Sequence, residues 1–247
     1  MKYQYNTALF TNGDSATKYY IIGLILADGY IDKYERRIEV TLKEGDKDYL
    51  ASIRDIVCPG KPLKYRQTQN AYKFLIDNAE ICKEVMKFVN DRQKSKFLMF
   101  PYGIPDEHLL DFIRGYSDGD GNISVKLGRQ TVKGETKFYY GLRYRILGTK
   151  QFLAGLEFNL RRLGISTFGA NPHRKGQENC YYIEYGFKSA ARILEAIYAK
   201  EGLRLERKYQ VYKLISNSDS DQLAERYDTI SGHYNTHGIA SKKAIKV

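Results

Sequence analysis

Two periodicities alternate along the chain. Apolar residues recur at helical spacing in Tyr20, Leu24 and Ala27, in Tyr49, Leu50, Ile53, Ile56 and Val57, and again in Leu109, Phe112 and Tyr116. Between them, Ile38, Val40 and Leu42 alternate with Arg37, Glu39, Thr41 and Lys43, the period of two that marks a strand with one buried face. Pro59-Gly60 ends one helix, and Asn78 can cap the next, from Ala79 to about Val89. The pattern predicts helix, hairpin, helix, hairpin, helix, with turns near residues 33–36 and around Thr68-Gln69-Asn70. A second pass repeats the plan: helix 106–118, strands 122–128 and 137–147, helix 150–163, strands near 166–174 and 180–187, and helices 189–200 and 203–215. The expected class is α+β, with one unit over 1–100 and another over 101–215. Residues 1–14 read as a polar lead-in arm, 129–136 as a long turn extending a hairpin, and 216–247 as a basic C-terminal tail.

A short stretch occurs in both units. Ile21-Ile-Gly-Leu-Ile-Leu-Ala-Asp-Gly29 is matched by Ile113-Arg-Gly-Tyr-Ser-Asp-Gly-Asp-Gly121, and the two aspartates, Asp28 and Asp120, lie 92 residues apart (120 − 28). Each copy follows a helix start, at Ser15 or at Pro105-Asp106-Glu107, and stops at a glycine. A glycine inside a helix costs roughly 1 kcal/mol relative to alanine. Gly23 and Gly115 therefore need a reason, and close approach of two helix backbones supplies one. If the two helices pack side by side, Asp28 and Asp120 meet at the same end, on the negative poles of both dipoles. Carboxylates so placed repel one another and call for cations, and hard divalent ions such as Mg²⁺ suit oxygen ligands.

These residues resemble the LAGLIDADG homing endonucleases in their single-chain, two-repeat form, over roughly residues 15–215. The resemblance implies two αββαββα units related by a pseudo-twofold axis, with the repeat helices at the interface and two antiparallel sheets forming a DNA-binding saddle. It implies a monomer that hydrolyses both strands of DNA at a long, non-palindromic site and spreads as a mobile intron or free-standing element. The implied cofactor is Mg²⁺, as two or three divalent ions that Mn²⁺ or Ca²⁺ can replace, held at Asp28 and Asp120 with Ala27 and Gly119 beside them. Lys94 and Lys208, at matching positions where each unit closes, are the implied catalytic lysines, with Lys96 and Arg207 as substitutes. Leu26 stands where the family often has an acid, and Arg114 and Ser117 where it is usually apolar; neither departure touches the aspartates.

Composition agrees with a polyanionic partner. The 247 residues hold 40 Lys and Arg against 29 Asp and Glu, a net charge of +11, and no segment is long and apolar enough to favour a membrane. The outward strand faces carry the candidate DNA contacts Arg37, Glu39, Thr41, Lys43, Lys64 and Arg66 in the first unit, and Asn122, Ser124, Lys126, Arg143 and Arg145 in the second. Three cysteines without a Cys-x-x-Cys pair argue against a zinc site or disulfide framework. A start without an apolar core points to the cytosol, or to an organellar matrix if the gene is organellar. The four histidines form no metal spacing, and His108 reads as a helix-surface residue. Asp118-Gly-Asp120-Gly-Asn122 opens like a calcium loop but has Ile123 at the sixth position and Arg129 at the twelfth. The alternative from another class is a non-cleaving binder of DNA or intron RNA on the same scaffold, as in maturases or DNA-binding regulators.

Overall fold

Nine consecutive buried residues, Lys18 to Leu26, make the first repeat helix the axis of the fold. In the computed structural model, which describes residues 3–32, 34, 36–90, 93–132, 135–165, 173–174 and 180–216, this helix is α2 (Ala16–Asp28), preceded by a single turn, α1 (Ala8–Thr11). Ser15 caps it, its hydroxyl accepting from Lys18 N at 3.2 Å. Such a helix, apolar on all sides, belongs in an interior, and its main neighbour is α6 (Asp106–Asp120), the second repeat helix.

The two glycines are where these helices touch. A Cβ on Gly23 would lie 2.8 Å from Tyr116 N and closer still to the Phe112 carbonyl oxygen; one on Gly115 would meet the Tyr20 carbonyl group. The contact is reciprocal and continues to the C-terminal ends, where Ala27 packs on Gly119. Only glycine allows backbones this near.

Each repeat helix runs straight into a strand. β1 (Gly29–Ile31), β2 (Ile38–Lys43), β3 (Lys64–Arg66) and β4 (Ala71–Ile76) form an antiparallel sheet in the order β1-β2-β4-β3. β5 (Gly121–Val132), β6 (Glu135–Gly148), β7 (His173–Arg174) and β8 (Tyr181–Tyr185) form another in the matching order β5-β6-β8-β7. In β2 the buried residues are Ile38, Val40 and Leu42, as their alternation predicts. Helices α3 (Lys47–Val57) and α4 (Ala79–Met86) cover the first sheet, and α7 (Lys150–Arg162) and α8 (Phe187–Tyr198) the second. Asn78 caps α4 and Thr149 caps α7, each accepting from the backbone N–H three residues on. Two further elements close the units: a single turn, α5 (Lys94–Phe97), and α9 (Glu206–Ser216).

Several sequence expectations are corrected. The lead-in arm is tied down: Asn6 N donates to Val57 O at 2.9 Å, the Tyr5 hydroxyl accepts from Asp77 N, and Phe10 is fully buried. Its apolar residues are too few to show a period. Residues 129–132 and 135–136 belong to the paired strands and not to a turn, the pairing of β5 with β6 reaching Val132↔Glu135. Helix α6 runs to Asp120 instead of 118, so both acids are the last residues of their helices. Helix α4 stops at Met86 and α9 starts at Glu206, three residues away from the expected ends. The strand expected near 166–174 lies mostly outside the described residues, as does the tail beyond 216.

Candidate active site at the ends of the paired helices

Because α2 and α6 pack side by side in the same direction, their C-terminal poles coincide and Asp28 and Asp120 share one electrostatic neighbourhood. Burial and then the negative charge of Asp120 push the Asp28 carboxyl up to about 6, despite the nearby cations Lys208 and Lys94. Tyr116 places its hydroxyl against Asp120 and also donates to Leu147 O at 3.1 Å.

Two lysines close the helix ends. Lys94 Nζ, carried by α5, donates to the carbonyl oxygens of Ile25 (2.6 Å) and Leu26 (3.1 Å). Lys208 Nζ, carried by α9, donates to those of Ser117 (2.8 Å), Asp118 (2.7 Å) and Gly119 (3.2 Å). Carbonyls 25 and 117 are equivalent under the 92-residue offset, as are 26 and 118, so the lysines do matching work in the two units. Each satisfies orphan carbonyls of its own repeat helix and sits in the field of the paired acids. Burial brings both ammonium groups down to about 8, and the carboxylates oppose that fall. Lys96 is exposed.

Arg207 is held elsewhere. Its guanidinium makes a two-pronged pair with Asp46, Nε to Oδ1 at 2.8 Å and Nη2 to Oδ2 at 3.0 Å, joining α9 to a 3₁₀ turn in the first unit. Asp46 is buried, so Arg207→Ala is expected to cost about 2 kcal/mol by stranding that charge. Asp46→Ala with Arg207→Ala should cost less than Arg207→Ala alone in urea denaturation; additive losses would show that the pair is not coupled.

Asp118 is structural. Its carboxylate accepts from the Tyr20 hydroxyl (2.7 Å), the Tyr198 hydroxyl (2.9 Å) and Leu205 N (2.8 Å), and Tyr20 meets Tyr49 at 2.5 Å. A carboxylate spent in this way is no ligand, and β5 begins at Gly121, which removes the calcium-loop resemblance. His108 is half-buried, with its ring stacked on Tyr19 at 5.4 Å, so it is not the plain surface residue its position suggested. Arg114, at a usually apolar position, is buried and donates to Asp111 and to the carbonyls of Leu203 and Ile197, tying α6 to the last turn of α8 and to the chain that follows it.

The sheet faces turned away from the helices carry the cations. On the first, Glu39 gathers Lys73, Arg66 (3.7 Å) and the Thr41 hydroxyl (3.3 Å), and Lys43 donates to Gln69 O. Lys64 is exposed on the same face, whereas Arg37, just before β2, is engaged by Asp77. On the second, Glu184 gathers Lys126 (2.8 Å), Arg145 (2.6 Å) and Arg143 (3.9 Å), and Arg145 lies over the Tyr182 ring. Asn122 and Ser124 join this face, opposite Arg145 and Arg143. Sequence reasoning missed Lys73, Tyr182 and Glu184, although the period of two in Ala71-Tyr-Lys-Phe-Leu-Ile76 places Lys73 outward.

Two carboxylates at a joint negative pole fit a hard cation. Among the described residues no cluster of three or more His, Cys, Asp or Glu could hold a metal, so water and phosphate oxygens have to complete any shell there. Mg²⁺ is commonly held this way, by one or two carboxylates plus substrate phosphates.

No protein-family model matches the chain, and no curated protein matches it. Solved structures do. The I-LtrWI LAGLIDADG homing endonuclease bound to target DNA superposes with a TM-score of 0.57 over 90% of this chain and 98% of its own, at 13% identity. The meganuclease I-SmaMI bound to uncleavable DNA gives 0.58 over 87% and 97%, at 12% identity. The LAGLIDADG meganuclease I-CpaMI bound to uncleaved DNA gives 0.54 over 91% and 97%, at 13% identity. With its paired glycine-bearing helices, its two sheets of matching strand order and these likenesses, the chain has the fold of the LAGLIDADG homing endonucleases.

Proposed function

We propose that this protein is a LAGLIDADG homing endonuclease that cuts both strands of DNA at a long, non-palindromic site with Mg²⁺, acting as a monomer. The observation that carries the reading is the meeting of Asp28 and Asp120 at the ends of packed helices, between two cation-rich sheets. The structural neighbours support it, being homing endonucleases or meganucleases bound to DNA, one of them in the presence of calcium ions.

Asp28 and Asp120 hold the metal, with Ala27 and Gly119 at their sides. A bound divalent ion neutralises phosphate charge and acidifies a water. Lys94 and Lys208, already anchored at the two helix ends, stabilise the charge developing on the phosphate or orient the attacking water. The outward sheet faces bind the duplex, with Arg and Lys suited to guanine edges and phosphates and Asn122 to adenine. The halves differ in sequence, so the two half-sites differ, and the target is not palindromic.

The test is cleavage of a randomised-site plasmid library with purified protein and Mg²⁺, with EDTA as control and the cut ends sequenced. Recovery of one site, cut only with metal, is the expected result. Binding to a selected site without cutting overturns the enzyme and leaves a binder. Affinity for that site should fall with salt at a log-log slope of roughly −0.9 for each phosphate neutralised. A flat response would remove the role assigned to the basic faces.

A further inference from the structure

In both sheets the first strand stands at the edge that follows directly from the repeat helix: β1 begins one residue after Asp28, and β5 one residue after Asp120. Both strands therefore start at the paired acids. The residues they turn outward near the acids are Tyr30, in register with Glu39, and Asn122, in register with Arg145. The two positions correspond under the 92-residue offset (122 − 30), yet they differ in kind. Tyr30 is a full aromatic ring left 61% exposed, two residues from a candidate metal ligand, whereas Asn122 is small and half-buried.

We propose that Tyr30 is a specificity-determining wedge acting on the base steps between the two cut positions, on the first unit's side only. The proposal rests on the DNA-cleavage reading. Adjacent carboxylates can serve two strands only if the two target phosphates approach one another, and phosphates of opposite strands are nearest across the minor groove, about 6 Å wide. The groove then faces the helix ends, and Tyr30 stands at its wall. Base edges there distinguish little beyond A·T from G·C, so a ring in that position selects mainly by deformation, favouring steps that unstack easily. Pyrimidine–purine steps are the most flexible. Because Asn122 offers no such ring, the preference is lopsided about the site's midpoint.

The experiment is selection of bound duplexes from a randomised library in EDTA, with the parent protein, Tyr30→Ala and Tyr30→Phe compared. Tyr30 is 61% exposed, so the alanine variant folds. The parent is expected to enrich pyrimidine–purine steps on one side of the midpoint. Tyr30→Ala should lower that enrichment about tenfold while the flanking positions keep theirs, and Tyr30→Phe should retain it. An unchanged middle preference in Tyr30→Ala, a loss spread equally over middle and flanks, or a parent pool with no middle preference would each overturn the proposal. A parent that selects a site but leaves it uncut with Mg²⁺ removes the cleavage reading and leaves the Tyr30 comparison standing. A parent that selects no DNA overturns both.

Discussion

Asp28→Asn is expected to abolish double-strand cutting, by at least about 10³-fold, while the metal-free protein becomes more stable. The loss corresponds to about 4 kcal/mol of transition-state stabilisation, within what a lost metal-held charge clamp removes. Asp120→Asn should abolish cutting likewise, and both variants should still bind the target, because the sheet faces are untouched. The gain in stability follows from the direction of the Asp28 shift. Burial and Asp120 raise its folded pKa to about 6 from the usual 3.8, so the fold disfavours the charged form. Above pH 6 the carboxylate is ionised in both states and the full penalty applies; below about pH 4 it is protonated in both and the penalty is gone. The amide mimics the neutral acid, and with partial solvent access taken into account Asp28→Asn should gain about 2 kcal/mol at pH 7 and nothing near pH 4. Urea melts in EDTA at the two pH values measure this. Mg²⁺ should raise the melting temperature of the parent and not that of the variant. A variant that cuts both strands normally would sink the paired-carboxylate mechanism, and one no more stable at pH 7 would remove the account of a strained site.

Gly115→Ala should cost about 3 kcal/mol or more and lower the melting temperature by about 10 °C. The added methyl would meet the Tyr20 carbonyl group, which is helix backbone and cannot rotate away, so α2 and α6 must separate along the shared contact. Gly23→Ala should act alike through the Phe112 carbonyl and Tyr116 N. Gly45→Ala is the control: nothing lies within 4 Å of its Cβ position, and its effect should stay near 0.5 kcal/mol or less. Equal melting temperatures for Gly115→Ala and Gly45→Ala would mean that the helices do not depend on that approach. Separation of the helices would also part Asp28 from Asp120, so activity should fall faster than stability.

Much of this site can be read from local pattern. The 92-residue repeat locates both acids, the helix-interior glycines announce a close helix pair, and the alternation in β2 gives the outward face with Glu39 and Thr41. The resemblance implies Lys94 and Lys208, their matching places at the ends of the units favour the pair, and the structure puts both at the repeat-helix ends. The form of their contact was not legible: they reach carbonyl oxygens, and a backbone acceptor leaves no residue-type signal. Arg207 appeared as a substitute for Lys208, but its partner Asp46 is 161 positions away, and an ion pair across that separation has no local pattern. The same holds for Asp118, whose partners Tyr20 and Tyr198 come from different units.

By itself the sequence determined the repeat, the helix and strand periods, the identity of the acids and the excess of positive charge, because each is set by neighbours a few residues apart or by composition. Only the tertiary structure decided that burial and then Asp120 hold the Asp28 carboxyl above its usual range, that Glu39 and Glu184 each gather cations on one face, and that the arm before Ser15 is part of the core. Those outcomes depend on burial and on distances between residues far apart in the chain, and both come into being only when the chain folds.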